Sequence, residues 1–445
     1  MTAQHHSAAE PSDAQINAAL GLSLRVGELA LASGVPSADA ANTISAVAVA
    51  SGMPRDQVSV DVTLNSLLVS ITSDEDTPPF SRVLRVTGKR FDYTRLTRLY
   101  RFVDALVEGR LRPEAAGEAL TAIIAAPRPY PLRVSEAGTA GLAGAVVLLI
   151  GGSLWGVAAA AVTTFLTLWL IDYVERRGLP RFFGNIAAGA MVTAVALGMV
   201  TAGLPVRPSF IVAGGIVALL PAVEILAAVS DALSGYVVTA AGRLVEVFFL
   251  SSGIAAGVVF VLNIAGRYDV NIRLFAPEES TAEPVVRLVA GAAASALFLI
   301  GVSGPWRLMP YAGAVGGLGV LIGLALARID VLGVTSVAAS AVVIGTIAVV
   351  MSRRLRVPAL VLAVPGFIPL LPGLALYDGM FQISRGNTAI GIIVLTGAIS
   401  SAVALASGVV LGDVISGRLR RWRRAVINAS QRRRAHPGPS LGDTS

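Results

Sequence analysis

Few residues inside the apolar stretches of this chain can do chemistry, and they recur in two similar settings. In the first, Leu219-Leu220-Pro221 is followed by Glu224 and Asp231, with Arg243 further on. In the second, Pro365-Gly366-Phe367-Ile368-Pro369-Leu370-Leu371-Pro372-Gly373 is followed by Tyr377-Asp378 and then Arg385. An ionisable group in an apolar span costs a few kcal/mol, so each acid is a candidate site by default. Proline removes a helix hydrogen bond and frees a carbonyl that lipid cannot satisfy, so such a break must line protein or water. A zwitterion suits such a place: a half-helix N-terminus holds its carboxylate, while carbonyls and an acid hold its ammonium. Glu224 and Asp231 are seven apart and share a face if their helix is unbroken. The expectation is that the two broken segments meet and form one substrate and proton site from Glu224, Asp231, Tyr377, Asp378, Arg243 and Arg385. Pro221, Pro365, Gly366, Pro369, Pro372 and Gly373 would supply the breaks. The bland alternatives are an interfacial Glu224, loop charges at the other positions, and interhelical hydrogen bonds at Asn185 and Asn263. Asp172 and Asp413 read as interfacial.

The elements that position these residues follow from composition. Of 445 residues, 54% are hydrophobic and only 14% charged, which places most of the chain in a bilayer. Apolar stretches fall at 137–152, 155–174, 182–202, 208–227 and 246–265, then at 285–303, 311–327, 331–351, 357–376 and 389–415. The fold class is an all-α polytopic membrane protein with about ten transmembrane helices and a small soluble α+β domain at the N-terminus. Because each set has five spans and carries the same Pro-break, acid, Arg order, the sets read as two inverted five-helix repeats. Arg176, Arg177 and Arg181 share one side with Arg353, Arg354, Arg356 and the C-terminal tail, so the positive-inside rule puts both termini in the cytoplasm. The expected divisions are a disordered tail over 1–19, a soluble domain over 20–126 and a Pro-rich connector over 127–136. The first membrane half then covers 137–266, an inter-repeat loop 267–284, the second half 285–415, and an Arg-rich tail 416–445. In the soluble domain 17–32, 36–51, 93–106 and 113–124 have helical spacing, while 58–71 is rich in Val, Leu, Thr and Ser.

Several functions are excluded or disfavoured. The absence of cysteine removes thiol catalysis and thiolate metal sites, and His5, His6 and His436 lie in polar tails, so neither a metal nor another cofactor is expected. The run from Arg418 to Arg434 holds eight arginines and no acid. It reads as a topogenic, lipid-facing tail and not as a nucleic-acid site. Tyr377-Asp378 and Gly412-Asp413 echo the paired aspartates of intramembrane aspartyl proteases. Val410 stands where that family has glycine, however, and Pro358-Ala359-Leu360 precedes both acids. No phosphate loop is present, since Gly88-Lys89 is followed by Arg90. A non-enzymatic protein is expected.

With these features in place, the sequence resembles the threonine/serine exporter family from about Leu20 to Ile415. The resemblance rests on Leu29-Ala30-Leu31-Ala32-Ser33-Gly34, Leu96 to Leu106, Pro127-Arg128-Pro129-Tyr130-Pro131, Pro369-Leu370-Leu371-Pro372-Gly373 and Tyr377. It implies an exporter of threonine, serine or similar small metabolites, driven by the proton motive force, with a cytoplasmic N-terminal domain. The expected partners are that solute, protons and the lipids of the cell membrane, with no nucleic acid and with assembly into a homo-oligomer left open. A dicarboxylate exporter, a passive channel and a membrane sensor with a ligand-binding N-terminal domain are the alternatives.

Overall fold

The computed structural model describes residues 12–72, 78–86, 88, 91–267, 282–371 and 373–435, with some side chains beyond 372 left aside. The three histidines, Lys89, Pro372 and most of the expected inter-repeat loop lie outside the described residues.

The N-terminal domain packs four helices on a three-stranded sheet: α1 (Asp13–Ala32), α2 (Ser37–Ala50), β1 (Val58–Val62), β2 (Ser66–Ile71), β3 (Phe80–Arg85), α3 (Tyr93–Val107) and α4 (Pro113–Ala125). The first helix begins at Asp13, inside the stretch expected to be a tail. Ser12 caps it reciprocally with Gln15, which satisfies two donors that a helix start otherwise leaves open. The sheet is an antiparallel meander with β2 in the middle. Leu67, Val69 and Ile71 of β2 are buried and Leu68 is exposed, the alternation of a strand with one face on a core. That core is completed by Ile16 and Leu20 of α1, Ile44 of α2, and Leu96 and Leu99 of α3. β3 was not foreseen; its Ser-Arg-Val-Leu-Arg run carries no clear apolar face.

The membrane sector follows at once, because α5 starts at Leu132 and confines the connector to the prolines before it. The first half comprises α5 (Leu132–Leu149), α6 (Leu154–Arg176), α7 (Arg181–Thr201), α8 (Pro208–Leu219), α9 (Ala222–Leu233) and α10 (Val237–Gly266). The second comprises α11 (Pro284–Gly301), α12 (Met309–Ala327), α13 (Gly333–Leu355), α14 (Leu360–Phe367), a 3-10 turn (Ile368–Leu370), α15 (Gly373–Ser384) and α16 (Thr388–Ala435). Among the described residues, eight helices are long and apolar enough to cross a bilayer, and α8 with α9 forms a ninth span bent by 55°. The apolar segment Leu360–Leu370 is too short to cross alone, so the described residues give eight or nine spans where about ten were expected. α16 does not stop at 415: its backbone continues as helix through the arginine-rich stretch to Ala435.

The halves make matching contacts. α7 packs on α10 as α13 packs on α16, and α8 touches α5, α6 and α7 as α14 touches α11, α12 and α13. α9 contacts α16 of the other half, and α15 reciprocally contacts α10. Small residues make the tightest crossings: a Cβ on Gly189 or Gly257 of the α7–α10 pair would collide with the facing backbone at Ile254 or Ile186. Gly408 and Gly412 meet the backbone of α13 at Ala341 and Gly345 in the same way.

Candidate functional site

The first break is built by three residues. Leu219 ends α8, Leu220 is extended (φ −69°, ψ 142°), and Pro221 immediately precedes α9. Glu224 is therefore the third residue of a new helix, where backbone N–H groups have no partner within the helix. Its side chain is 4% exposed and, among the described residues, has no hydrogen-bond or ion-pair partner. It faces a cavity of about 240 Å³ shared with the break itself, Asn185 and Arg181 of α7, Thr139 of α5, and Phe91 of the N-terminal domain. Pockets for drug-sized ligands span about 300–1,000 Å³, so this one suits a smaller solute. Asn185 is anchored by donating to the Leu250 carbonyl at 3.0 Å, which ties α7 to α10, so it is interhelical and cavity-lining at once. The chemistry available is one carboxylate, a helix N-terminus, an amide, a hydroxyl and a guanidinium at the exposed rim.

The N-terminal domain also contributes Tyr93. Its side chain is fully buried and its hydroxyl has no hydrogen-bond partner among the described residues. Burial first, and the negative charge of Glu224 second, hold this phenol above its usual range, so it stays a proton donor. Sequence reasoning missed Phe91, Tyr93 and Arg181 as site residues, since nothing local links them to Glu224.

Asp231 and Arg243 occupy a different place. Arg243 Nε lies 3.0 Å from Asp231 Oδ2, both side chains being at most 5% exposed. Asp231 also accepts the Ser37 backbone N–H at 2.6 Å and the Ser37 hydroxyl at 3.1 Å, while Arg243 donates to the Val35 carbonyl at 3.5 Å. Ser37 is the first residue of α2, whose preceding Pro36 offers no side-chain cap. The Asp231 carboxylate thus supplies the cap that α2 lacks, where the helix dipole favours negative charge. Gly34, at φ +85°, allows the α1–α2 turn to reach α9, and a Cβ there would lie 2.8 Å from Val223. The pair expected at a solute site is instead a fastening between the soluble domain and the broken span.

The second break lies within the same apolar cluster as the first. Ile368 and Leu371 pack with Val217, Ala218 and Ala222 against α5 and α11. Pro365 lies within α14, with Gly366 buried beside it, and Pro369 opens the 3-10 turn. The acids do not converge, however. Asp378 is half-buried and accepts from Gln382 at 3.3 Å, Arg385 is exposed, and neither lines the Glu224 cavity. The side chains of Tyr377 and Asp413 lie outside the described residues. Asn263 is exposed on α10, and Asp172 pairs with Arg176 one turn along α6. Of the six polar residues expected in one site, Glu224 lines this cavity, Asp231 and Arg243 pair with each other beside α2, and Asp378 and Arg385 lie elsewhere among the described residues. No group of acids or histidines among the described residues has the arrangement of a metal site.

Two family models match nearly the whole of this arrangement. One, described as "Putative threonine/serine exporter", covers residues 21–265, and the other, "Threonine/Serine exporter, ThrE", covers 287–415. The chain belongs to the threonine/serine exporter family. Among curated members of that family, a "Probable threonine/serine exporter" of Mycobacterium tuberculosis is 34% identical over 410 residues, covering 90% of this chain and 77% of the relative. A "Threonine/serine exporter" of Corynebacterium glutamicum is 31% identical over 421 residues, covering 92% and 84%. No solved structure matches the chain. The boundary between the two exporter models falls between α10 and α11, where the two membrane halves divide.

Proposed function

We propose that this chain is a secondary transporter that exports small polar metabolites, threonine and serine first, across the cell membrane at the expense of the proton motive force, and that it is not an enzyme. The observation that carries this reading is Glu224, a buried carboxylate with no partner among the described residues, at the start of a half-helix and facing a small cavity inside a multi-pass membrane protein. Such a group can exchange a proton for a substrate ammonium without moving anything larger than a side chain. The matching contacts of the two halves support an inverted repeat, the frame on which alternating access is built.

Orientation follows the same reasoning. Phe91 of the N-terminal domain and Arg181 line one cavity, and Arg101 of α3 donates to the Arg356 carbonyl at 3.2 Å. The soluble domain therefore lies on the side of both arginine clusters, which supports cytoplasmic termini.

The test is efflux of preloaded labelled threonine, serine and succinate from proteoliposomes, with and without an imposed pH gradient. Gradient-stimulated threonine or serine efflux that is lost in Glu224→Gln, with the variant still folded, is the expected result. Succinate as the stimulated substrate would replace the amino acid by a dicarboxylate. Flux indifferent to both gradient and Glu224 would point to a channel.

A further inference from the structure

We propose that the N-terminal domain is a hinged lid over the Glu224 cavity: it stays fastened to α9 and α10 and lifts at the edge that carries Phe91, Tyr93 and Thr94. The domain is seated on two different walls of that cavity. On α9 and α10, Asp231 holds Ser37, Arg243 holds the Val35 carbonyl, and the Thr239 hydroxyl donates to the Val62 carbonyl at 3.4 Å. At the C-terminal end of α11, the N–H groups of Tyr93 and Thr94 donate to the Val302 and Ser303 carbonyls at 3.0 and 3.2 Å, and the Thr94 hydroxyl reaches the Ser303 carbonyl at 2.8 Å. Tyr130 of the connector donates to the next carbonyl, Gly304, at 3.0 Å. Val223 and Glu224 of α9 and Leu250 of α10 line the cavity, and so do Phe298, Gly301 and Val302 at the α11 seat. Phe91 lines it as well, and a Cβ built on Gly34 would meet both the Phe91 ring, at 2.7 Å, and Val223, at 2.8 Å.

The two seats differ in kind. The first contains a buried ion pair, and pulling it apart would strand a charge in the interior. The α11 seat is made by neutral N–H and hydroxyl groups on main-chain carbonyls, and water satisfies both sides of such bonds once the contact opens. Arg101, further along α3, adds one exposed bond to the Arg356 carbonyl. The edge beside Phe91 is therefore the one that gives way, and the α9–α10 seat is the hinge.

The closed lid is also poised to open. It buries the Tyr93 hydroxyl with no hydrogen-bond partner among the described residues, within reach of the Glu224 charge, and Glu224 itself has none. A buried polar group left unpaired costs its full desolvation, and lifting the edge hydrates both groups. A solute group that pairs with Glu224 removes part of that strain and holds the lid shut over its cargo. This consequence for transport rests on the Glu224 cavity being the solute site, whereas the lid itself is read by thiol access, which needs no flux.

The chain has no cysteine, so Val223→Cys carries the only thiol, at a buried position on the cavity wall. With the full chain in lipid nanodiscs, labelling of that thiol by a water-soluble maleimide reads how often the lid is open. Thr94→Val with Tyr130→Phe removes two hydroxyl bonds of the α11 seat and should raise the rate about tenfold or more. Tyr93→Phe removes the unpartnered hydroxyl and should lower the rate about threefold or more, opposite to the effect of weakened packing. A Cβ built on Gly242 lies 3.9 Å from Leu64 Cβ, within disulfide range, so Leu64→Cys with Gly242→Cys can be oxidised across the hinge before labelling. That bond should leave the rate within about twofold, because the hinge does not open. Labelling indifferent to the α11 seat, faster labelling in Tyr93→Phe, or labelling abolished by the hinge disulfide would each overturn the proposal. Gradient-stimulated efflux with access indifferent to the seat would remove the lid and leave the transport reading, and seat-governed access without any flux would do the reverse.

Discussion

The two broken spans come from similar sequence and end in unlike surroundings. Each has a proline break, an acid on the following helix and an arginine before the last span. In the first, Asp231 and Arg243 are buried, paired at 3.0 Å and capped onto α2. In the second, Asp378 is half-buried with only Gln382 as its described partner, and Arg385 faces outward. The membrane halves are nearly matched in their contacts, but the chain has a single N-terminal domain, and that domain sits on the first break. Similar sequence thus ends in one acid paired with its arginine under the N-terminal domain and another that is not.

The comparison is broken most decisively by charge removal. Asp231→Ala or Arg243→Ala leaves the other charge buried and alone, and should cost about 3–5 kcal/mol, read as a lowered melting temperature and faster hydrogen exchange in the α1–α2 turn. The corresponding Asp378→Ala and Arg385→Ala should stay within about 1 kcal/mol. Equal losses in the two halves would remove the distinction between the breaks. Gly34→Val should be next in size, about 2–3 kcal/mol, since it combines a strained φ with a clash against Val223 and Phe91. Limited proteolysis would then cut the soluble domain away from the membrane sector more readily. Ser37→Ala keeps the backbone donor and loses only the hydroxyl bond to Asp231, an effect of about 1 kcal/mol in thermal unfolding. The smallest change is expected for Gln382→Ala, which removes a 3.3 Å bond to a half-buried acid and should shift unfolding by about 0.5 kcal/mol or less.

Much of the architecture was legible before any coordinates. Hydropathy located the eight long apolar helices and the bent α8–α9 pair, and the helices expected from 17, 36, 93 and 113 reappear as α1 to α4, because periodic burial writes itself into local spacing. Pro221 stands at a real break, since a missing N–H has an immediate local consequence, whereas Pro365 lies inside α14 and Pro369 in the 3-10 turn that prolongs it, and the extended residue of the second segment is Leu371. The roles of the acids were much less legible. Glu224 and Asp231 are seven positions apart, and that spacing suggested a shared task. The partner that decides the matter is Ser37, 194 positions from Asp231. A backbone N–H has no sequence signature, so no reading of α9 alone could show that its aspartate was already engaged. Phe91 and Tyr93 were hidden for the same reason: their importance comes from the domain's seat above Glu224.

The glycine crossings described for α7 with α10 and for α13 with α16 limit how such a molecule can change shape. Helices whose main chains touch cannot slide past one another without collision, so each couple must travel as a stiff column. Motion is left to the seams between columns, where α9 leans on α16 and α15 on α10. Any switch in which side of the membrane the cavity faces is therefore a rocking of whole columns about the two breaks, with the soluble domain carried on one of them as ballast.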